Sequence, residues 1–152
     1  MENKEFSHTT HDGDINMVDV TGKEVSLRTA EATGHISLKS ETLELIRDNL
    51  NKKGSVLTTA QIAGIMAAKR CHELIPLCHP LNLTKIDVKL SEDNSGFTAV
   101  SVVRCSERTG VEMEALTAVS VALLTIYDMC KAVDKEMSIE KVKLVRKTKQ
   151  KI

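Results

Sequence analysis

The chain has 152 residues, 21 Lys and Arg against 21 Asp and Glu, a formal net charge of zero and 2 % aromatic residues. That length suits one compact domain with a real core, and the charge balance argues against nucleic acid or an anionic membrane surface as partner. One Tyr, two Phe and no Trp leave little from which to build a base-stacking platform.

Residues 1–12 are polar, carry His8 and His11, and read as a flexible N-terminal arm rather than a histidine site. Residues 13–152 read as a single domain. Met17 to Lys23 is a short extended piece ending at a turn signal, and Thr29 to Leu38 is the first strand. Ser40 is placed to N-cap a helix whose stripe is Leu43, Ile46 and Leu50; it runs to Asn51 and is broken by Lys52-Lys53-Gly54. A second helix runs from about Thr58 to Glu73, with Ala60, Ala63, Gly64, Ala67 and Ala68 small enough for close packing. Leu83 to Leu90 alternates as a strand, Ser91 to Gly96 is a hairpin loop, and Phe97 to Cys105 returns as the partner. A long, largely uncharged helix spans about Glu112 to Val133, and Lys141 to Lys147 forms a final strand. The order β-α-α-β-β-α-β predicts an α+β domain, an antiparallel sheet with helices on one face, close to the split βαβ arrangement. With no leading apolar stretch and no long uninterrupted apolar run, no signal peptide or membrane span is expected, and the expected compartment is the cytoplasm.

The only prolines, Pro76 and Pro80, bracket Cys78 and His79 in the run Leu74 to Leu81. Proline fixes φ, removes a donor and restricts the residue before it, so this run should be a stiff extended crossing that aims His79. The four cysteines, at 71, 78, 105 and 130, form no dense disulfide framework and are expected as thiols. Cys71-His72 and Cys78-His79 repeat a Cys-His pair, which raises a metal-binding module as an alternative. Their spacing fits no common zinc knuckle, so no metal site is expected.

Between Ala115 and Met129 the long helix has one charge, Asp128. A helix so apolar all round must be enclosed by sheet, helices or another subunit. Asp128 and Lys131 form an i,i+3 pair on one face, and apolar surroundings would fit such a pair for proton transfer. Glu112 and Glu114 open the same helix; they flank Met113 and point to different faces, so they are not a paired dyad. Glu114 and Asp128 are about 40° apart around the axis but roughly 21 Å apart along it, too far to touch one small group within a subunit. No P-loop or Gly-x-Gly-x-x-Gly is present, so any phosphate grip must come from basic side chains and loop amides.

Met17-Val18-Asp19-Val20, Lys53-Gly54, Gln61 to Arg70, Leu74 to Leu81, Thr109 to Ala118 and Ile126 to Val133 closely resemble the cyclic pyranopterin monophosphate synthases, the molybdenum-cofactor biosynthesis protein C (MoaC) family. The resemblance covers about residues 14 to 147. It implies a ferredoxin-like catalytic domain assembled as a homohexamer, a trimer of dimers with active sites at the dimer interface. The implied reaction converts 3′,8-cyclo-7,8-dihydroguanosine 5′-triphosphate, made by a partner radical GTP cyclase, to cyclic pyranopterin monophosphate and diphosphate. Position by position, Asp128 and Lys131 match the catalytic pair, Lys131 transferring the proton and Asp128 its partner or a base. Leu77, Cys78, His79, Met113 and Glu114 match substrate-binding positions, and Lys53 a pocket lysine. Asp19, Lys23, Arg28, Glu112 and Lys147 match further pocket positions. No cofactor is implied as required, although Mg²⁺ can accompany the triphosphate; neither nucleic acid nor membrane is implied as partner.

One departure stands out. Many family members follow the lysine matching Lys147 with a glycine-rich segment, whereas this chain reads Thr148-Lys149-Gln150-Lys151-Ile152. Glycine-rich backbone offers amides to phosphate; the lysines are expected to offer flexible charge instead. The competing class is a non-catalytic binder on the same fold, against which the presence of both Asp128 and Lys131 argues.

Overall fold

A computed structural model describes residues 6–48 and 55–152. The elements are β1 (Ser26–Ser37), α1 (Ser40–Arg47), α2 (Val56–Lys69), α3 (Cys71–Leu74), β2 (Leu83–Asp93), β3 (Gly96–Glu107), α4 (Glu112–Cys130) and β4 (Ser138–Lys151). The strands form one antiparallel sheet in the order β2-β3-β1-β4. This is the ferredoxin-like α+β arrangement, with α2 and α4 packed together over the sheet.

Alternation along the two central strands explains the layering. Ala30, Ala32 and Ile36 of β1 and Ala99, Val103 and Cys105 of β3 turn inward, against Ala115, Ala118, Val119, Ala122, Leu123 and Ile126 of α4. Ser101 joins them and is satisfied by donating to the Ala115 carbonyl at 2.7 Å. Small residues bring the helices close: a Cβ on Gly64 of α2 would stand 2.8 Å from the Ala118 carbonyl oxygen. By length and composition α4 could cross a membrane, yet most of that stretch is buried inside the protein, as suits a core helix.

Several boundaries differ from expectation. The end of the first helix at Asn51 and its breaker Lys52-Lys53-Gly54 lie outside the described residues, as do residues 1–5 of the arm. Ser40 is the first helical residue rather than the cap; Lys39 holds the cap position and makes no side-chain cap bond. The cap comes from far along the chain. Asp134, 1 % exposed, accepts from the Lys39 N–H at 2.8 Å, the Thr42 hydroxyl at 3.2 Å and the Glu136 N–H at 3.0 Å. Burial works to raise its pKa, but these donors and the Lys39 charge hold it below the ordinary value.

The second helix breaks after Lys69 and restarts as α3. The proline run is only partly extended: the Cys78 N–H bonds to the Ile75 carbonyl at 3.1 Å, closing a turn with Pro76 and Leu77 at its centre. Residues 78–82 then lead, without regular secondary structure, into β2. The final strand is twice as long as its apolar pattern suggests, and it pairs with β1 as far as Ser26↔Lys151.

Candidate active site

The proline-bracketed run, the segment 17–23 and the start of α4 converge on a cavity of about 560 Å³. Its wall takes Leu77, Cys78, His79 and Leu81 from the run, and Thr109, Gly110, Glu112, Met113 and Glu114 from the entry to α4. Val18, Val20 and Lys23 close a third side and Lys147 of β4 a fourth. Ser7 and His8 complete the wall from a small hairpin, in which the Asn16 N–H bonds the His8 carbonyl at 2.9 Å and Thr9 bridges to Ile15.

Two arginines set this geometry. Arg108, which sequence reading did not single out, donates from Nε to the Lys23 carbonyl at 3.2 Å. Its own carbonyl accepts from the Arg28 guanidinium at 3.3 Å. Loop 17–23, the start of β1 and the entry to α4 are thereby tied together. Asp19 does not itself line the cavity. It accepts from the Thr21 N–H at 2.8 Å, and bonds from Thr21 together with the charge of His79 lower its pKa.

The two carboxylates at the head of α4 have opposite electrostatics. Glu114 is 4 % exposed, and burial pushes its pKa up, with the Glu112 charge adding to the rise. For Glu112 burial is the largest influence and acts upward, but the Lys147 ammonium, bonded at 2.9 Å, together with a backbone N–H and the Arg28 charge, turns the net shift down. The ionised form is thus favoured at Glu112 and disfavoured at Glu114. Cys78 and Cys71 are thiols rather than thiolates: burial raises both, Cys71 to about 12.

Cys71 is buried beside the Thr117 hydroxyl at 3.5 Å and His72 is exposed. Among the described residues no group of three or more His, Cys, Asp or Glu is arranged to hold a metal ion.

Asp128 and Lys131 lie elsewhere. They form an ion pair at 2.7 Å at the far end of the cavity's helix, with side chains 64 % and 58 % exposed. The apolar, desolvated setting expected from the sequence is therefore not met within one chain, because the buried apolar residues of α4 face the sheet and α2 while this pair faces out. The aspartate bond raises the Lys131 pKa, so the lysine stands as an ammonium. Arg28 adjoins the main cavity through a smaller one, and Lys53 lies outside the described residues.

The tail also departs from expectation. Thr148 to Lys151 do not hang as loose charge but continue β4.

The profile of the MoaC family matches residues 17–150 of this chain. The chain is 52 % identical over 153 aligned positions, covering 96 % of each partner, to a probable cyclic pyranopterin monophosphate synthase accessory protein of Methanothermobacter thermautotrophicus. It is 54 % identical over 145 positions, covering 94 % of this chain and 91 % of the other, to a cyclic pyranopterin monophosphate synthase of Desulfatibacillum aliphaticivorans. On the strength of both the profile and these relatives, the chain belongs to the MoaC family.

Proposed function

We propose that the protein is a cyclic pyranopterin monophosphate synthase of molybdenum cofactor biosynthesis, a lyase that acts on 3′,8-cyclo-7,8-dihydroguanosine 5′-triphosphate and releases diphosphate. The observation that carries this reading is the convergence of Leu77 to His79 with Glu112 to Glu114 on one cavity, joined by Lys23 and Lys147. A cavity of about 560 Å³ is of nucleotide size, and its mixture of apolar wall and cations suits a heterocycle with a polyphosphate tail.

The reaction opens and recloses the purine-derived ring and forms a cyclic phosphate as diphosphate leaves. Both halves need proton transfer, and the second needs positive charge where the leaving group develops negative charge. Glu114, with its raised pKa, is placed to give and take a proton at the heterocycle. Lys147, Lys23 and Arg28 supply the charge. Lys131, held protonated by Asp128, enters as a proton donor, and Asp128 as its partner. No resident cofactor is needed for these steps; Mg²⁺ belongs with the triphosphate as it arrives from the radical cyclase.

Lys131 and Asp128 reach a substrate in this cavity only from a second subunit. Support for that comes from apolar side chains left uncovered on the helix layer: Ile62 and Met66 of α2 and Leu124 of α4, the last one turn before Asp128, are exposed. A closed symmetric oligomer, in our reading a hexamer built as a trimer of dimers, covers such a face. The reading also places the enzyme in the cytoplasm, with neither nucleic acid nor membrane as partner.

The direct test supplies the cyclised dihydroguanosine triphosphate to purified protein and follows cyclic pyranopterin monophosphate and diphosphate. Equal release of both products is expected. Binding without any turnover would favour the non-catalytic alternative. Zinc in stoichiometric amount, lost together with activity in Cys71→Ser, would favour the metal module.

A further inference from the structure

Strand pairing gives the lysines of the tail a direction. Lys147 pairs with Ala30, Lys149 with Arg28 and Lys151 with Ser26, without a register shift between them. Paired residues share a face, and Ala30 and Ser26 are both buried on the helix side of the sheet. Lys147, Lys149 and Lys151 therefore all leave β4 on that same side, while Thr148 and Gln150 turn to the other.

Two of these lysines line a second cavity of about 220 Å³, together with Arg28, Gly110 and Glu112. It shares Gly110, Glu112 and Lys147 with the larger cavity, so the two adjoin across the Glu112–Lys147 pair. Three cations and one carboxylate make its wall strongly positive. Glu112 is already engaged by Lys147, and Arg28 Nε has no hydrogen-bond partner among the described residues. Lys151 lies beyond the cavity, 4.0 Å from Glu24.

We propose that Lys149, beside Arg28, forms a seat for the terminal oxyanions of a polyphosphate ligand, and so acts as a substrate-positioning residue. The seat rests on the reading above, in which a triphosphate occupies the adjoining cavity. A strand residue has its Cα fixed by backbone pairing, so Lys149 loses less freedom on binding than a lysine on a loose tail. The heterocycle then occupies the larger cavity and the end of the phosphate chain reaches past Glu112 to Lys149.

Calorimetric titration with inorganic diphosphate tests this on the parent, Lys149→Ala, Lys149→Arg and Lys143→Ala, followed by KM and kcat with the cyclised triphosphate. Lys143 is on the same strand but lines a separate cavity, so its variant matches the change in net charge. Lys149→Ala should weaken diphosphate binding and raise KM about tenfold, the scale of one charge-assisted contact, with kcat within about twofold. Lys149→Arg should restore both to within about threefold, and Lys143→Ala should match the parent. Diphosphate binding needs no turnover: if Lys149 governs it in a protein that makes no product, the proposed reaction fails and the seat stands. Equal diphosphate affinity in Lys149→Ala and parent, an equal loss in Lys143→Ala, or no binding by the parent overturns the seat.

Discussion

Glu114 and Asp128 stand at opposite ends of one helix, roughly 21 Å apart along its axis, the first buried in the cavity wall and the second exposed in an ion pair. A single subunit thus turns Glu114 into its cavity and presents Asp128 outward. The helix between them is rigid, so no local motion joins the two groups within a chain. In the shared-site reading proposed above, a neighbouring copy does.

The first prediction concerns the outward pair. Lys131→Ala and Asp128→Ala should leave the circular dichroism spectrum and thermal midpoint close to those of the parent, because the pair is exposed. Product formation should fall about 10²-fold or more, the range for a lost general acid or base. Lys131→Arg should also be poor, since a guanidinium does not give up its proton near neutral pH.

Glu114 gives a pH signature. Its folded pKa is raised by burial, so the carboxyl costs little stability while it is protonated below the unfolded value near 4.3. The destabilisation grows as pH rises through the folded pKa, where the buried group must ionise. Glu114→Gln should therefore be more stable than the parent at pH 8, with the advantage shrinking as pH falls toward about 4. Urea denaturation across that range measures it; an advantage constant with pH would assign the change to packing alone. Turnover should fall in the same variant.

The far-off cap of α1 behaves in the opposite sense. Asp134 has a lowered pKa, so its contribution is present above the unfolded carboxylate value and is lost as pH falls through the folded one. Asp134→Ala removes bonds to the Lys39 and Glu136 N–H groups and the Thr42 hydroxyl, and should cost about 2–3 kcal/mol at pH 7. Chemical denaturation at neutral and acid pH should show the difference narrowing in acid.

Gly64→Ala tests the close approach of α2 and α4. The added methyl would lie 2.8 Å from the Ala118 carbonyl oxygen, and backbone cannot step aside as a side chain can. Overpacking of this kind should destabilise by about 1–3 kcal/mol despite the better helix propensity of alanine. An unchanged or raised thermal midpoint would show that the helices can separate freely.

What the sequence made legible tracks where apolar residues fall. Ile86, Val88 and Leu90 mark β2 because one face is packed, and the small residues of α2 mark its contact with α4. The last residues of β4 are not legible in the sequence because Lys-Thr-Lys-Gln-Lys alternates without an apolar residue; backbone pairing to β1 carries that part of the strand, not a buried face. Asp134 as cap and Arg108 as tie were hidden for another reason. Each acts on residues remote in sequence, and only folding brings Lys39 or Lys23 to them. The proline run was readable as the placement device for Cys78 and His79, since its stiffness is local. The exposure of Asp128 was not, because an apolar helix looks alike whether its neighbours come from its own sheet or from another subunit.

The shared site is tested most directly by mixing two inactive proteins. Lys131→Ala and His79→Ala, each purified and inactive, are unfolded together and reassembled at equal concentration. If His79 of one subunit and Lys131 of another serve the same substrate, mixed oligomers contain intact sites and part of the parent activity returns, about one quarter for random pairing across a two-subunit interface. If both groups act within one chain, every site in every mixed oligomer carries one lesion. Activity that stays at the level of the separate variants, in oligomers shown to be mixed, contradicts the account.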